Sequence, residues 1–278
     1  AQAAEGLDIV CDDQAVRGYP FRMGLFCDDF ALRNTLTGLV VEAGALRSAA
    51  QVYEPRKIVV ELDAPVSITP ANGAEPMLLD YVLGRAVIEA RAPGSRAYSV
   101  EFERGVFTAS DGQLEVRADR LTGFSREVET GVDAALFAQG AQVQGEGLTG
   151  LSLPPLDVDF DAKIEGARFD TQSPRGLSGT LRRLAIKLTE DRGAIITGPF
   201  DVDADGLVNA TLMMRIVDVD GVLEAVNAVS ANAGSALGGI LALQPRSGEN
   251  GDEVELTVTV RDGEARLGFI PLGQIPPL

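Results

Sequence analysis

Short segments in which apolar and polar side chains alternate recur through the whole chain, and they constrain its fold most. Residues 57–63 (KIVVELD) and 98–104 (YSVEFER) each place apolar side chains on one face and charged side chains on the other. Segments of β character continue at 156–166 and 253–269. Alternation with period two is typical of antiparallel strands with one wet face. The sequence therefore predicts a mainly β protein with an elongated, curled antiparallel sheet.

The chain divides into two sets of such segments. Between them, residues 126–150 mix helical and glycine-rich patterns. With 278 residues and 45% apolar side chains, the chain can bury a sizeable core. We interpret residues 1–278 as a single domain that could form two lobes, 1–130 and 145–278.

Helical spacing is clear in one region only, where apolar residues follow Asp220, a candidate N-cap. The residues at this spacing are Val222, Leu223, Val226, Val229, Leu237, Ile240 and Leu241. Residues 225–245 carry no charge. The pattern predicts a helix pair packed on the sheet, whose apolar stripe either forms core or contacts an apolar ligand. The candidate ligand-contacting residues are Val222, Val226, Val229, Leu237 and Leu241.

The two cysteines, Cys11 and Cys27, lie at equal distances from a candidate turn at residues 18–20. A hairpin with this apex would place the cysteines opposite each other, so the favoured interpretation is a structural disulfide. Free buried thiols are the alternative. A redox pair usually has Cys-X-X-Cys spacing, and a metal site would need two further ligands.

The candidate turn itself could contact a partner. It comprises Gly18, Tyr19, Pro20, Phe21 and Arg22. Aromatic residues and arginine are enriched at protein interfaces. The alternative is that Tyr19 and Phe21 are buried and anchor the hairpin on the domain.

Asp201, Asp203 and Asp205, followed by Gly206, resemble the beginning of a calcium-binding loop. The twelfth position of that loop would be Leu212, where a bidentate glutamate is needed. The favoured interpretation is therefore an Asp-Gly turn, and no metal site is predicted.

Composition excludes several classes of function. The chain has 24 basic and 41 acidic residues, a net charge of −17, and its basic residues are scattered along the sequence, so nucleic acid is not an expected partner. It contains no histidine, the commonest general base and transition-metal ligand. It has neither a Gly-X-Ser-X-Gly motif nor a phosphate-binding loop, and we predict no catalytic residue and no cofactor.

No segment is apolar enough to span a bilayer as a helix. The small residues at the beginning of the chain (AQAAEGLD) are of the kind that follow a cleavage site or an anchor. We therefore expect that the chain lacks its original N-terminus.

The order of these features resembles the bacterial envelope family called domain of unknown function 2125, and its repeats are similar to AsmA-like proteins. The residues that carry the resemblance are 18–22 (GYPFR) between the cysteines, 198–226 (GPFDVDADGLVNATLMMRIVDVDGVLEAV) and 262–278 (DGEARLGFIPLGQIPPL). The resemblance implies a periplasmic protein of Gram-negative bacteria, attached to the inner membrane only through an N-terminal anchor outside this chain. It supplies no catalytic residues.

Two functions remain open. The first is a non-catalytic module that binds or transfers a lipid or another amphiphile along the apolar sheet face. The second is a scaffold in envelope assembly that contacts other envelope proteins. An apolar cavity of about 300 Å³ or more would favour the first, because ligand sites usually reach that size.

Overall fold

A computed structural model describes residues 6–35, 38–70, 76–90, 95–109, 114–145, 154–169, 173–248, 251–268 and 270–278. The chain forms two compact units: residues 1–126 with 138–149, and residues 127–137 with 150–278. The N-terminal residues 1–5, on which part of the expected processing site falls, lie outside the described residues. Residues 138–149 belong to the first unit although residues 127–137 before them belong to the second. The chain therefore does not divide at a single point into two consecutive lobes.

The described residues are mainly β, as predicted, with 21 strands and two helices. The first thirteen strands are β1 (Leu7–Cys11), β2 (Ala15–Arg17), β3 (Arg22–Cys27), β4 (Phe30–Asn34), β5 (Val40–Ala43), β6 (Leu46–Gln51), β7 (Glu54–Leu62), β8 (Val66–Thr69), β9 (Met77–Asp80), β10 (Leu83–Ala90), β11 (Arg96–Ala109), β12 (Leu114–Val128) and β13 (Gly131–Gly145). The unit boundary falls within β12 and β13. Up to residue 145, the mixed pattern after residue 126 thus belongs mainly to β12 and β13.

The remaining elements belong to the second unit. They are β14 (Leu156–Glu165), β15 (Ser178–Thr189), β16 (Arg192–Val202), β17 (Val208–Val217), α1 (Val219–Val229), α2 (Ala231–Leu241), β18 (Arg246–Ser247), β19 (Glu253–Arg261), β20 (Glu264–Leu267) and β21 (Ile270–Gln274). Neither helix in the described part of the chain is long and apolar enough to cross a membrane.

The first unit is an antiparallel meander in which neighbouring strands are interrupted at matching positions along their length. β2 pairs with β3 while β1 pairs with β4, and β3 then pairs with β6 while β4 pairs with β5. The same doubling continues from β6 and β5 to β7 and β8, and from these to β10 and β9. β11 is continuous and pairs with both β10 and β9. Each pair such as β1 and β2 is therefore one long strand with a bend.

The core of the first unit lies beside these breaks. Cys27, Leu46, Val66 and Leu79 each flank a break and are at most 7% exposed. β11 is not interrupted beside these breaks, but its residue Arg104 has a positive φ of 51° and takes no part in the pairing of β11 with β12. The register of the two strands is the same on both sides of Arg104, so β11 continues through this point without an inserted residue. The apolar core thus follows the line along which the strands bend.

A disulfide joins Cys11 to Cys27 at this line, with the Cα atoms 5.3 Å apart, and it agrees with the predicted staple. The predicted register was wrong, however. Cys11 is opposite Phe30 in the β1–β4 ladder, and Ala15 is opposite Phe26, so the turn is centred between Pro20 and Phe21. The break between β1 and β2, absent from a regular hairpin, brings the two sulfur atoms together.

The second unit is an antiparallel sheet in the order β14–β15–β16–β17–β19–β20–β21. The chain leaves it after β17, forms α1 and α2, and returns through the short β18, which pairs with one end of β19. The helices pack against Ile216, Val254 and Leu256 and so cover one end of the sheet.

Candidate ligand-binding site

One face of the second sheet is apolar from strand to strand. Val158 of β14 is opposite Ile186 of β15, which is opposite Ala194 of β16. The row continues through Ile216 of β17 to Val254 of β19. Because directly opposed residues share a face of the sheet, these side chains form a continuous apolar surface.

The other face carries charged side chains beside apolar ones such as Ala185 and Ile195. Arg183 donates to Asp159 at 2.9 Å, and Arg182 lies 2.7 Å from Asp161 and 3.0 Å from Asp133. Such half-exposed ion pairs contribute little to stability. The charged side chains make this the more polar face, and the helices pack on the opposite, apolar face.

An aspartate positions the beginning of α1. The N-cap is Asp218, whose carboxylate accepts from the backbone N–H of Gly221 at 3.1 Å and from Arg192 at 2.6 Å. The Arg192 guanidinium and the Gly221 N–H both lower the pKa of Asp218 below its usual value. The predicted cap, Asp220, is wrong: it lies in the first turn, and its contact with Arg246, at 2.8 Å, lowers its own pKa. Asp218 caps the helix because it directly precedes α1 and its side-chain oxygen accepts from an otherwise unpaired N–H of the first turn.

Behind this cap, the two helices pack on one end of the apolar face. The buried cluster there consists of Ile216, Val219, Val222, Leu241, Val254 and Leu256. Val219 and Val254 are completely buried, and Leu241 is 3% exposed. The predicted helix pair on a sheet is therefore present.

Beyond the cluster, α1 overhangs a groove on the same face. The groove has a volume of ≈ 320 Å³. Its lining comprises Pro154, Leu156, Ile186, Leu188, Gly193, Ala194, Val222, Ala225, Val226, Val229 and Ser230. Strands β14 to β16 supply its floor and α1 supplies one wall. Ser230 is the only one of these lining residues with a polar side chain, so the groove offers dispersion contacts and almost no hydrogen bonds.

The matching family model covers residues 1–276 and describes an uncharacterized protein conserved in bacteria (DUF2125). The chain belongs to the DUF2125 family. No curated protein and no solved structure matches it significantly. The family supplies no function for the groove, so its role has to be argued from the residues that line it.

The five helical residues predicted to contact a ligand do not all line the groove of this DUF2125 protein. Val222, Val226 and Val229 line the groove. Leu241 lies inside the core cluster, and Leu237 packs against that cluster. The helical period identifies the apolar stripe, but α2 turns its part of the stripe toward the core.

Sequence reasoning missed the floor of the groove. Leu156, Ile186 and Leu188 belong to alternating segments, and alternation places each on an apolar strand face. Their position beside α1 depends on the pairing of β15 with β14 and β16, which the alternation leaves open.

The other predicted sites have simpler structures. In the turn formed by residues 18–22, Tyr19 is 87% and Phe21 79% exposed, which disagrees with a buried anchor. Asp203 accepts from the backbone N–H groups of Asp205 and Leu207 at 2.9 Å, which is the geometry of a turn. No cluster of acidic or cysteine side chains suited to a metal occurs in the described ranges.

Two further clefts of the second unit are larger than the groove, at ≈ 640 and ≈ 830 Å³. Both are lined largely by polar residues, including Arg261 and Asp262. Water solvates such walls well, so these clefts provide no driving force for an apolar ligand. The groove beside α1 is the better candidate site for one.

Proposed function

We propose that this DUF2125 protein is a non-catalytic envelope module that binds an acyl chain of a lipid in the groove between α1 and strands β14 to β16. The observation that carries the proposal is the lining: ten of its eleven residues have no polar side-chain group. A ligand with a hydrocarbon surface therefore gains the most binding free energy from filling the groove.

The size of the groove favours a chain segment over a whole lipid. Its ≈ 320 Å³ lies at the lower end of the range of ligand sites. Each methylene buried there contributes about 0.8 kcal/mol, so six of them give roughly 5 kcal/mol before the cost of ordering the chain. A head group would remain in water at the mouth of the groove.

The chemistry of the lining also favours binding without turnover. None of the eleven lining residues carries a carboxyl, amino, guanidino or thiol group. General acid or base catalysis requires such a group within hydrogen-bond reach of the substrate. A ligand seated here would be held and released unchanged.

The proposed location is the periplasm of a Gram-negative bacterium, with the full-length protein anchored in the inner membrane. The Cys11–Cys27 disulfide supports an oxidising compartment. We further propose a role in lipid traffic, which requires a site for acyl chains such as this groove.

A matched pair of variants on α1 tests the groove. Ala225 lines it, whereas Ala228 is exposed on the same helix and does not. Ala225→Phe fills the groove with an aromatic ring, and Ala228→Phe adds the same ring to solvent. We expect the fluorescence of cis-parinaric acid, a polyene fatty acid, to rise on binding to the wild type and to Ala228→Phe, and at least tenfold weaker binding to Ala225→Phe.

Circular dichroism of both variants establishes that the helices remain folded. Equal affinity of folded Ala225→Phe and Ala228→Phe would refute the groove as the binding site. Absence of binding to the wild type would refute the proposed function.

A further inference from the structure

The two turns at one end of the first unit lie side by side. The β2–β3 turn and the β6–β7 turn are connected by a hydrogen bond from the Val52 N–H to the Phe21 carbonyl, at 3.1 Å. We call residues 16–23 and 51–58 together the tip. Neither segment contributes to the groove.

The tip exposes a cluster of apolar side chains. The aromatic members are Tyr19, Phe21 and Tyr53, which are 87%, 79% and 79% exposed. The aliphatic members, between 37% and 63% exposed, are Val16, Met23, Val52 and Ile58. Isolated apolar side chains are normal on a protein surface, but a contiguous group of them marks an interaction site.

Cationic side chains accompany this cluster. Arg17, Arg22, Arg56 and Lys57 are all exposed, and none forms an ion pair with another residue that the structure describes. Arg17 also lies over the ring of Phe26, 5.3 Å from its centroid. Basic residues that are scattered in the sequence are thus gathered at one end of these strands.

The local charge opposes the net charge of the chain. Within the tip the only acidic side chain is that of Glu54, and Glu89 of β10 lies opposite Lys57. Four cations thus accompany two acidic side chains, although the whole chain has a net charge of −17. Charges farther away than about 8 Å are largely screened at physiological ionic strength. A negatively charged surface that approaches the tip therefore meets a positive field.

We propose that the tip docks on the surface of an anionic lipid bilayer. Its aromatic and aliphatic side chains enter the boundary between head groups and acyl chains, where tyrosine is favoured. Its arginines and lysine contact the lipid phosphates. The charge of the tip favours a bilayer as its partner, because a basic cluster beside exposed apolar side chains suits an anionic membrane.

This inference is independent of the groove and adds a second activity to the proposed function. A module that takes up an acyl chain has to meet the membrane that contains it. Docking through the tip would supply that encounter, and it can be measured in a protein whose groove is blocked.

The absence of tryptophan from the chain provides a direct test. Phe21→Trp places a single tryptophan in the tip, and Val82→Trp places one at an exposed site, 62% exposed, beside the break between β9 and β10. With vesicles of equal parts phosphatidylcholine and phosphatidylglycerol, we expect a blue shift and quenching by brominated lipid for Phe21→Trp only. Vesicles of phosphatidylcholine alone should give a much weaker change.

Charge variants test the other half of the proposal by vesicle co-sedimentation. Removing one basic charge near an anionic surface weakens binding about fivefold, so Arg22→Gln with Arg56→Gln should weaken it about 25-fold. The control Arg104→Gln removes an exposed charge at the bend and should leave binding unchanged. Ala225→Phe should bind vesicles like the wild type.

Three results would overturn membrane docking. The first is no binding to phosphatidylglycerol vesicles, and the second is binding that the tip variants leave unchanged. The third is a protein from an envelope extract that binds the tip in detergent and is lost with Arg22→Gln and Arg56→Gln, when the purified chain binds no vesicles. That result would favour the scaffold function.

Discussion

Replacing Leu241 by alanine should destabilise the second unit much more than the same change at Leu243, two residues farther along. Leu241 is 3% exposed within the cluster under the helices, whereas Leu243 is 80% exposed. Leu→Ala in a core removes buried methylene and methyl groups and leaves a cavity, at a total cost of about 3 kcal/mol. An exposed leucine changes the free energy of unfolding by only about 0.5 kcal/mol or less.

Urea unfolding followed by circular dichroism measures this difference, because both described helices belong to the second unit. With a denaturant slope of about 2 kcal/mol/M, the midpoint for Leu241→Ala should fall by roughly 1.5 M. The midpoint for Leu243→Ala should remain close to that of the wild type. Equal midpoints for the two variants would refute the packing of α2 on the sheet.

Three further changes test other parts of the structure. Replacing Cys11 and Cys27 by serine should cost the first unit about 3 kcal/mol, seen in its tyrosine fluorescence, because the disulfide closes a loop of about 15 residues; no loss would argue against the staple. Tyr81→Phe removes a hydrogen bond of 2.7 Å to a backbone carbonyl and should cost about 1 kcal/mol. Burial raises the pKa of Tyr81 to about 12, so the stability from its neutral form should be complete below pH 10 and be lost toward pH 12. Asp218→Asn should destabilise α1 at pH 7, and since the folded pKa of Asp218 is lowered, the difference from the wild type should begin to shrink below about pH 4 and vanish as the pH falls through the lowered pKa; a constant difference would exclude the Arg192 ion pair as its cause.

For these tests the tyrosine signal is specific to one unit. All four tyrosines lie before residue 126 and hence in the first unit. Helical circular dichroism reports on the second unit. Double-serine variants that shift only the tyrosine transition would show that the two units unfold separately, and identical transitions would show one cooperative unit.

Local patterns predicted the element types well. The alternation in residues 57–63 corresponds to β7 and the helical spacing after residue 220 corresponds to α1 and α2. Both patterns report which side of an element is buried, and burial is decided by neighbours along the same element. The breaks in the first unit were not predictable in this way, because apolar residues flank each break as they would flank a regular position.

The two candidate sites depended on contacts that a sequence pattern does not contain. The groove needs Leu156 and Ile186 beside α1, and that arrangement follows from strand register over long separations. The tip likewise contains both Arg22 and Arg56 because the turns beside them are joined by the Val52–Phe21 hydrogen bond. A scattered set of basic residues became a cluster only after the strands were paired.

Photocrosslinking of a diazirine-labelled fatty acid to the purified chain, with the labelled peptides identified by mass spectrometry, tests the acyl-chain site most directly. The account predicts labels in the floor and wall of the groove, within residues 186–194 and 222–230. These labels should disappear in Ala225→Phe and persist in Ala228→Phe. Labels confined to other parts of the chain, or labels in the groove that Ala225→Phe leaves unchanged, would contradict it.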